Sequence, residues 1–338
     1  MIELKDDTLR FSFPEAHRDA VLRIHFQRTL RIPDDGKDYP LPAGLGRFPL
    51  RHVDDFSTRL PERWRRHGGV MLPMYQSEAL WIAFDATYPF AVKVAAGKID
   101  AVTGEAWSDA LHRSPQDYMV VPAQPWLDGF VVEKGVTRQF VAMPLGSGYS
   151  VEEQLTGAAE HGGLQILAQP VKAEVWERLQ RERALREDRA YPRHGPVAYE
   201  LACAPASMDM GMAPGGRMKQ DIYRDGHAFD DWDTAHRSRC FVHLANALVW
   251  RAVTGEEPPT TPFTAEDYRR RGIPWFDWYD ADRRALEASE KLAGVESVVR
   301  RGERLGQVPL PENETVEPGK VVELGPGRRA DVVREGRF

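Results

Sequence analysis

The segment Gly211-Met212-Ala213-Pro214-Gly215-Gly216-Arg217-Met218 comes close to the phosphate loop G-x-x-x-x-G-K-[ST]. In that loop consecutive N–H groups cradle phosphates, a lysine reaches their outer oxygens and a hydroxyl holds magnesium. Here Arg217 stands at the lysine position and Met218 at the hydroxyl position, and Pro214 removes one donor. The residues that follow alternate like a strand, whereas a phosphate loop opens a helix. Ala213-Pro214-Gly215-Gly216 therefore reads as a turn, with proline at its second position and glycine at its third. Arg217 and Lys219 are the residues that would hold an anion or nucleotide if the segment binds one.

The densest aromatic and acidic run is Pro274-Trp275-Phe276-Asp277-Trp278-Tyr279-Asp280-Ala281-Asp282. The flat faces of Trp275 and Trp278 beside carboxylates suit a sugar or a cationic ligand. The competing reading is a loop pinned to the core by its aromatics, with Asp280 or Asp282 capping the next helix. Asp225, Asp230, Asp231 and Asp233 lie near His227 and His236, a donor set for a hard cation. The EF-hand pattern is absent, so a solvated turn is expected and no metal site is assigned. Cys240 and His243 are three apart, which makes them neighbours on a helix. Zinc needs about four ligands, and no second such pair exists. His161-Gly162-Gly163 reads either as a histidine on a close-approach turn or as a helix stop. Asp128-Gly129 reads as a turn before a strand, and Asp128 could pair with Glu133, Glu152 or Glu153 for hydrolysis. The nucleophile elbow G-x-S-x-G, the zinc helix H-E-x-x-H and the kinase signatures do not occur.

These residues need elements to position them. In Ala20 to Ile32, Leu22, Ile24 and Phe26 alternate with polar residues, the period of a half-buried strand. A Pro- and Gly-rich loop follows from Pro33 to Pro49. Strand-like runs recur at Ala79 to Phe84, Phe90 to Ala95, Tyr118 to Val121, Phe130 to Glu133 and Val136 to Met143, with Lys134-Gly135 as a tight hairpin. Ser150 and Glu153 form a capping box, and Leu164 to Pro170 returns to strand. Val171 to Asp188 reads as a charged helix with acid-to-base pairs four apart, Glu174 with Arg178 among them.

Beyond the break at Tyr191 to Pro196 the pattern is mixed. Val197 to Cys203 reads as a strand, with Arg217 to Tyr223 as its partner. Cys240 to Val253 fits a helix, with a strand over Arg239 to Ala245 as the alternative. Thr264 caps a short helix closed by Gly272 and Pro274, and Ala281 to Ala293 reads as a last helix. The expected fold is α+β. A strand-rich region at 1–170, an antiparallel sandwich or barrel, precedes a charged helix and linker at 171–195. A mixed region at 196–301 and an extended tail at 302–338 complete it.

Composition narrows the function classes. The chain has 338 residues, 42% hydrophobic and 28% charged, with a net charge of -6. It can bury a real core, and it lacks the basic stripe of a nucleic-acid binder. No run is long enough to cross a bilayer and no secretory leader is legible, which points to a cytoplasmic protein. The two cysteines, Cys203 and Cys240, read as thiols in a reducing compartment, with a single bridge between them left open. No cofactor is expected. The first functional expectation is a non-catalytic binding or assembly protein, with a small-molecule or protein partner or a second copy docked through the tail. The alternative is a hydrolase or carbohydrate-acting enzyme, with Asp277, Asp280 or Glu133 working with His161 or His243 between the two regions. A third reading is an anion or nucleotide binder through Arg217 and Lys219.

Overall fold

The computed structural model describes residues 1–186, 209–259, 261–278, 280, 283–307 and 316–324. The protein is strand-rich and α+β, and its strands form three sheets. The first sheet has nine strands. Its main path runs from Ile2–Lys5 through Thr8–Ser12, Val21–Thr29, Ala79–Asp85, Val136–Pro144 and Met210–Lys219 to Asp38–Tyr39. The second has seven, running from Ile99–Asp100 through Phe90–Ala96, Leu164–Pro170, Ser238–Asn246 and Val70–Met74 to Arg51–His52. Among the described strands of these two sheets pairing is antiparallel except at two places, Met210–Lys219 with Asp38–Tyr39 and Ser238–Asn246 with Val70–Met74. The third sheet joins Val321–Leu324, Trp275–Trp278 and Leu41–Pro42.

Alternation along the strands builds the core. Leu22, Ile24 and Phe26 in the first sheet, with Leu80, Ile82 and Phe84, share one cluster with Val92, Val94, Leu164, Ile166, Val242 and Leu244 of the second. Two sheets thus face each other across a common apolar layer, as a period of two requires when each sheet buries one face. A second cluster lies around Trp81, Trp126, Trp275, Tyr39 and Tyr268, where the third sheet packs. Strands from both sides of 171–195 lie in the same two sheets, because Met210–Lys219 pairs with Val136–Pro144 and Ser238–Asn246 with Leu164–Pro170.

The seven strands expected before residue 171 are present, and Gly135 takes the left-handed φ of 74° that its hairpin needs. The Ser150 capping box is formed with both of its hydrogen bonds. Four expectations are corrected. Ala213 to Gly216 is not a turn but the middle of the Met210–Lys219 strand. The register slips there, Phe140 facing Pro214 while Arg138 faces Arg217, so the proline and glycines sit at a bulge. Cys240 to Val253 is neither wholly helix nor wholly strand: the strand Ser238–Asn246 runs straight into the helix Ala247–Thr254. The last helix is only Glu290–Ala293, because Ala285 bridges Tyr223 and the Leu286 N–H donates to the Ile222 carbonyl at 2.7 Å. Trp275–Trp278 is a strand rather than a loop. Within the expected tail, Gly302 belongs to the helix Val298–Arg304 and Val321–Leu324 is strapped beside Trp275–Trp278. The expected strand Val197 to Cys203 and the break at Tyr191 to Pro196 lie outside the described residues.

Candidate functional site

The outer face of the second sheet carries the most one-sided chemistry. Gln165 faces Phe241 and Leu167 faces Arg239 across an antiparallel pair. Ile166, Cys240 and Val242 point into the core, so strand alternation sends Arg239, Phe241 and His243 to the opposite face. The short helix Glu62–His67 lies across that face. Its Trp64 and His67, three apart and hence on one side of the helix, clamp two rings of the strand. His67 stacks on Phe241 at 4.6 Å and 8°, Phe241 on His243 at 4.3 Å and 17°, and His243 on Trp64 at 4.5 Å and 23°. Arg63 pairs with Asp209, which also accepts the Trp64 indole N–H at 3.2 Å and fixes the far end of the column.

Two loops wall this face. Gly97 and Lys98, both with positive φ, form the two-residue turn between Phe90–Ala96 and Ile99–Asp100. The Lys98 N–H donates to Gln165 Oε1 at 2.6 Å, which aims the lysine over the sheet. The buried Glu152 carboxylate accepts the N–H groups of Glu160, His161 and Gly162 at 2.8–2.9 Å and so holds the His161 loop. The His161 ring lies 6.3 Å from the ring of His67. On the other side Trp107 donates its N–H to the Lys98 carbonyl at 2.8 Å and its indole N–H to Asp109 at 2.9 Å. Asp109 in turn pairs with Arg239.

These walls enclose a cleft of about 600 Å³ lined by Arg66, His67, Lys98, Arg239, Trp107 and Phe241 among others. Asp109 is the single carboxylate in its lining, and Arg239 already engages it. Among the described residues no carboxylate reaches Lys98 within ion-pair distance, and Arg66 meets only Glu62 at 3.8 Å with both side chains exposed. A larger cleft of about 810 Å³ lies beneath residues 286–291, but there Glu105 pairs with Lys291 and Glu287 with Arg224, so its charges cancel. Burial, then Lys98, His161, Arg66 and Arg63, keep His67 below the usual histidine range. Burial pushes His243 down to about 3, and its Nε2 lies 3.1 Å from the Gly68 carbonyl. The neutral ring donates there, so it is a fixed part of the stack. Cys240, on the core side, is pushed by burial up to about 12, so no thiolate forms. The expected nearness of Cys240 to His243 needed a helix; on a strand, residues three apart face opposite ways.

The remaining sequence candidates are scattered. Glu133 chelates Arg217 at 2.6 and 2.9 Å while Asp38 takes its Nε at 2.6 Å, at the edge of the first sheet. Lys219, exposed, ends the same strand. Trp275 is buried against Tyr39 and Tyr268, and Trp278 packs edge-on to Trp126. Asp277 lies between them on the third sheet, opposite Glu323. Asp280 is buried and held by Arg283 at 3.0 Å. Glu133 and Arg217 are brought together as an ion pair, and His161 and His243 both lie near His67, at 6.3 and 6.2 Å between ring centres. Asp225 is buried under Tyr118 and Trp232, and Asp233 holds His236 at 2.7 Å, so the acidic loop spends its carboxylates on its own structure. Among the described residues no three His, Cys, Asp or Glu side chains are placed to hold a metal ion, and no helix is long and apolar enough to cross a membrane.

Arg66, Lys98 and Arg239 were not singled out from sequence, since isolated cations on surface turns are ordinary. The pair Gly97-Lys98 between two apolar runs is the one local signal that could have marked the turn. A scan against protein-family models, a search of the curated proteins and a search of the solved structures found no match to this chain.

Proposed function

We propose that the protein binds a compact anionic small molecule in the cleft between the Glu62–His67 helix and the Gly97-Lys98 turn. The observation that carries this reading is the charge imbalance of the lining. Arg66, Lys98, Arg239 and His67 surround a cavity whose single carboxylate is already paired, on a chain whose net charge is -6. Three cationic side chains thus meet one carboxylate, with Lys98 left without a counter-charge among the described residues, and an anion in the cleft balances that excess. The flanking Trp107 and Phe241 favour a guest with a planar or apolar part. The binding reading also draws support from the carboxylates named as catalytic candidates. Glu133 and Asp280 are engaged by arginines, and Asp277 lies on a different sheet from His243.

Isothermal titration calorimetry with inorganic phosphate, phenyl phosphate and choline tests it. Phenyl phosphate is expected to bind more tightly than phosphate, and choline not at all. Lys98→Glu should weaken phenyl phosphate by about tenfold or more, the cost of reversing one uncompensated charge at close range. Equal response to anion and cation, or an unchanged affinity in Lys98→Glu, would overturn the proposal.

A further inference from the structure

We propose that anion entry into this cleft is coupled to proton uptake on His67, so that the site binds its guest together with one proton from solvent. The inference rests on the anion-binding reading above and adds its regulation. His67 is the one cleft group whose charge can change near neutral pH while its ring stays fixed. Its face is pinned 4.6 Å from Phe241, so protonation changes charge without needing a change of rotamer.

The groups around His67 come from four elements. Its own helix supplies Arg66 beside it and Arg63, the latter paired with Asp209. The Ser238–Asn246 strand supplies Phe241 and, 6.2 Å away, His243, which burial keeps uncharged. The turn supplies Lys98. The loop before Leu164–Pro170 supplies His161, whose Nε2 lies 3.9 Å from the Glu160 carboxylate. Arg239 and Cys240 share the cleft, the arginine paired to Asp109 and the thiol un-ionised. Burial and the neighbouring cations thus oppose the imidazolium, and a bound dianion removes much of that opposition. The balance is simple: a neutral imidazole plus a solvent proton becomes an imidazolium facing the bound anion.

Sulfate is the probe, because it stays doubly charged between about pH 5.5 and 8.5, so any pH dependence belongs to the protein. Titration calorimetry of the full chain in two buffers of different ionisation enthalpy counts the protons taken up. Approximately one proton per sulfate is expected at neutral pH, with affinity rising about three- to tenfold per pH unit on acidification. His67→Gln should bind sulfate with a pH-independent affinity, while His161→Gln keeps the linkage. The His67 Cε1–H resonance of the unaltered protein should titrate at higher pH with sulfate present, which tests the idea whatever the variants do to folding. Sulfate binding without proton uptake would overturn this inference and leave the anion reading standing. No sulfate binding at any pH would overturn both, and linkage that survives His67→Gln would refute the assignment to His67.

Discussion

Lys93 sits at 1% exposure beneath the Trp107 ring and gives its ammonium to Asp117 at 2.6 Å and to the Ala110 carbonyl at 3.1 Å. Asp117 also accepts from the His112 backbone at 2.8 Å and meets the His112 imidazole at 2.7 Å. That one buried pair ties the 105–117 loop, and with it Trp107 and Asp109 of the cleft, to the middle of the second sheet. Lys93→Met removes the cation and leaves Asp117 in a dry site, so a loss of about 3–5 kcal/mol is expected in urea unfolding. Lys93→Met with Asp117→Asn should recover part of it, because the orphaned charge is then gone. If the double variant is as unstable as the single one, the damage comes from packing rather than from charge. Nothing local in the sequence announced this role: Lys93 lies in an otherwise apolar run, Phe90 to Ala95, and its partner is 24 residues away. Residue type made His161 and His243 visible as candidates, but only the fold could show that they flank one ring column.

At the scale of elements, the period of two was readable wherever one face is buried, as in Val21–Thr29 and Leu164–Pro170. It failed at Met210–Lys219 because two glycines and a proline in mid-strand mimic a turn. The reason they are there is close approach. A Cβ on Gly215 would lie 2.5 Å from Val141 Cγ2, and one on Gly216 would overlap the Pro33 carbonyl oxygen. The strand therefore passes between neighbours that tolerate no side chain, and composition alone cannot distinguish this from a turn. Gly216→Ala must push backbone apart and should cost about 1–3 kcal/mol. Gly226→Ala, where a Cβ meets nothing within 4 Å, should stay within about 0.5 kcal/mol. Comparable urea midpoints for the two variants would contradict this account. The same limit explains the misread last helix: Arg284 to Leu286 is held extended by Ile222 to Arg224, about sixty residues back, and no local propensity records that partner.

Across the whole molecule, buried acids and buried histidines act on stability in opposite directions over one pH window. Burial raises Asp100 and Asp128 to about 7, against the hydrogen bonds from Thr103 and Thr137. Each keeps its proton in the folded protein and loses it in the unfolded chain above about pH 4. Their stabilisation is complete below that value and is lost as pH rises toward 7. Burial lowers His25 to about 4 and His243 to about 3, so these are neutral when folded and charged when unfolded below about 6.5. Their contribution is present above 6.5 and is lost as pH falls. Between about pH 4.5 and 6 the folded state thus holds two acid protons where the unfolded state holds two histidine protons, and the two slopes cancel. Asp128→Asn removes one acid from this balance. The unfolded state then binds one proton more, relative to the folded state, than in the parent chain. Measured against the parent, the stability of the variant should therefore climb by about 1.4 kcal/mol per pH unit through this window. Urea midpoints at three pH values within it give the slope directly. A variant whose profile runs parallel to the parent would show that Asp128 is already ionised in the fold. The expected tilt would show that a fully buried carboxyl offsets the acid sensitivity of His25 and His243 on the strands of the two sheets.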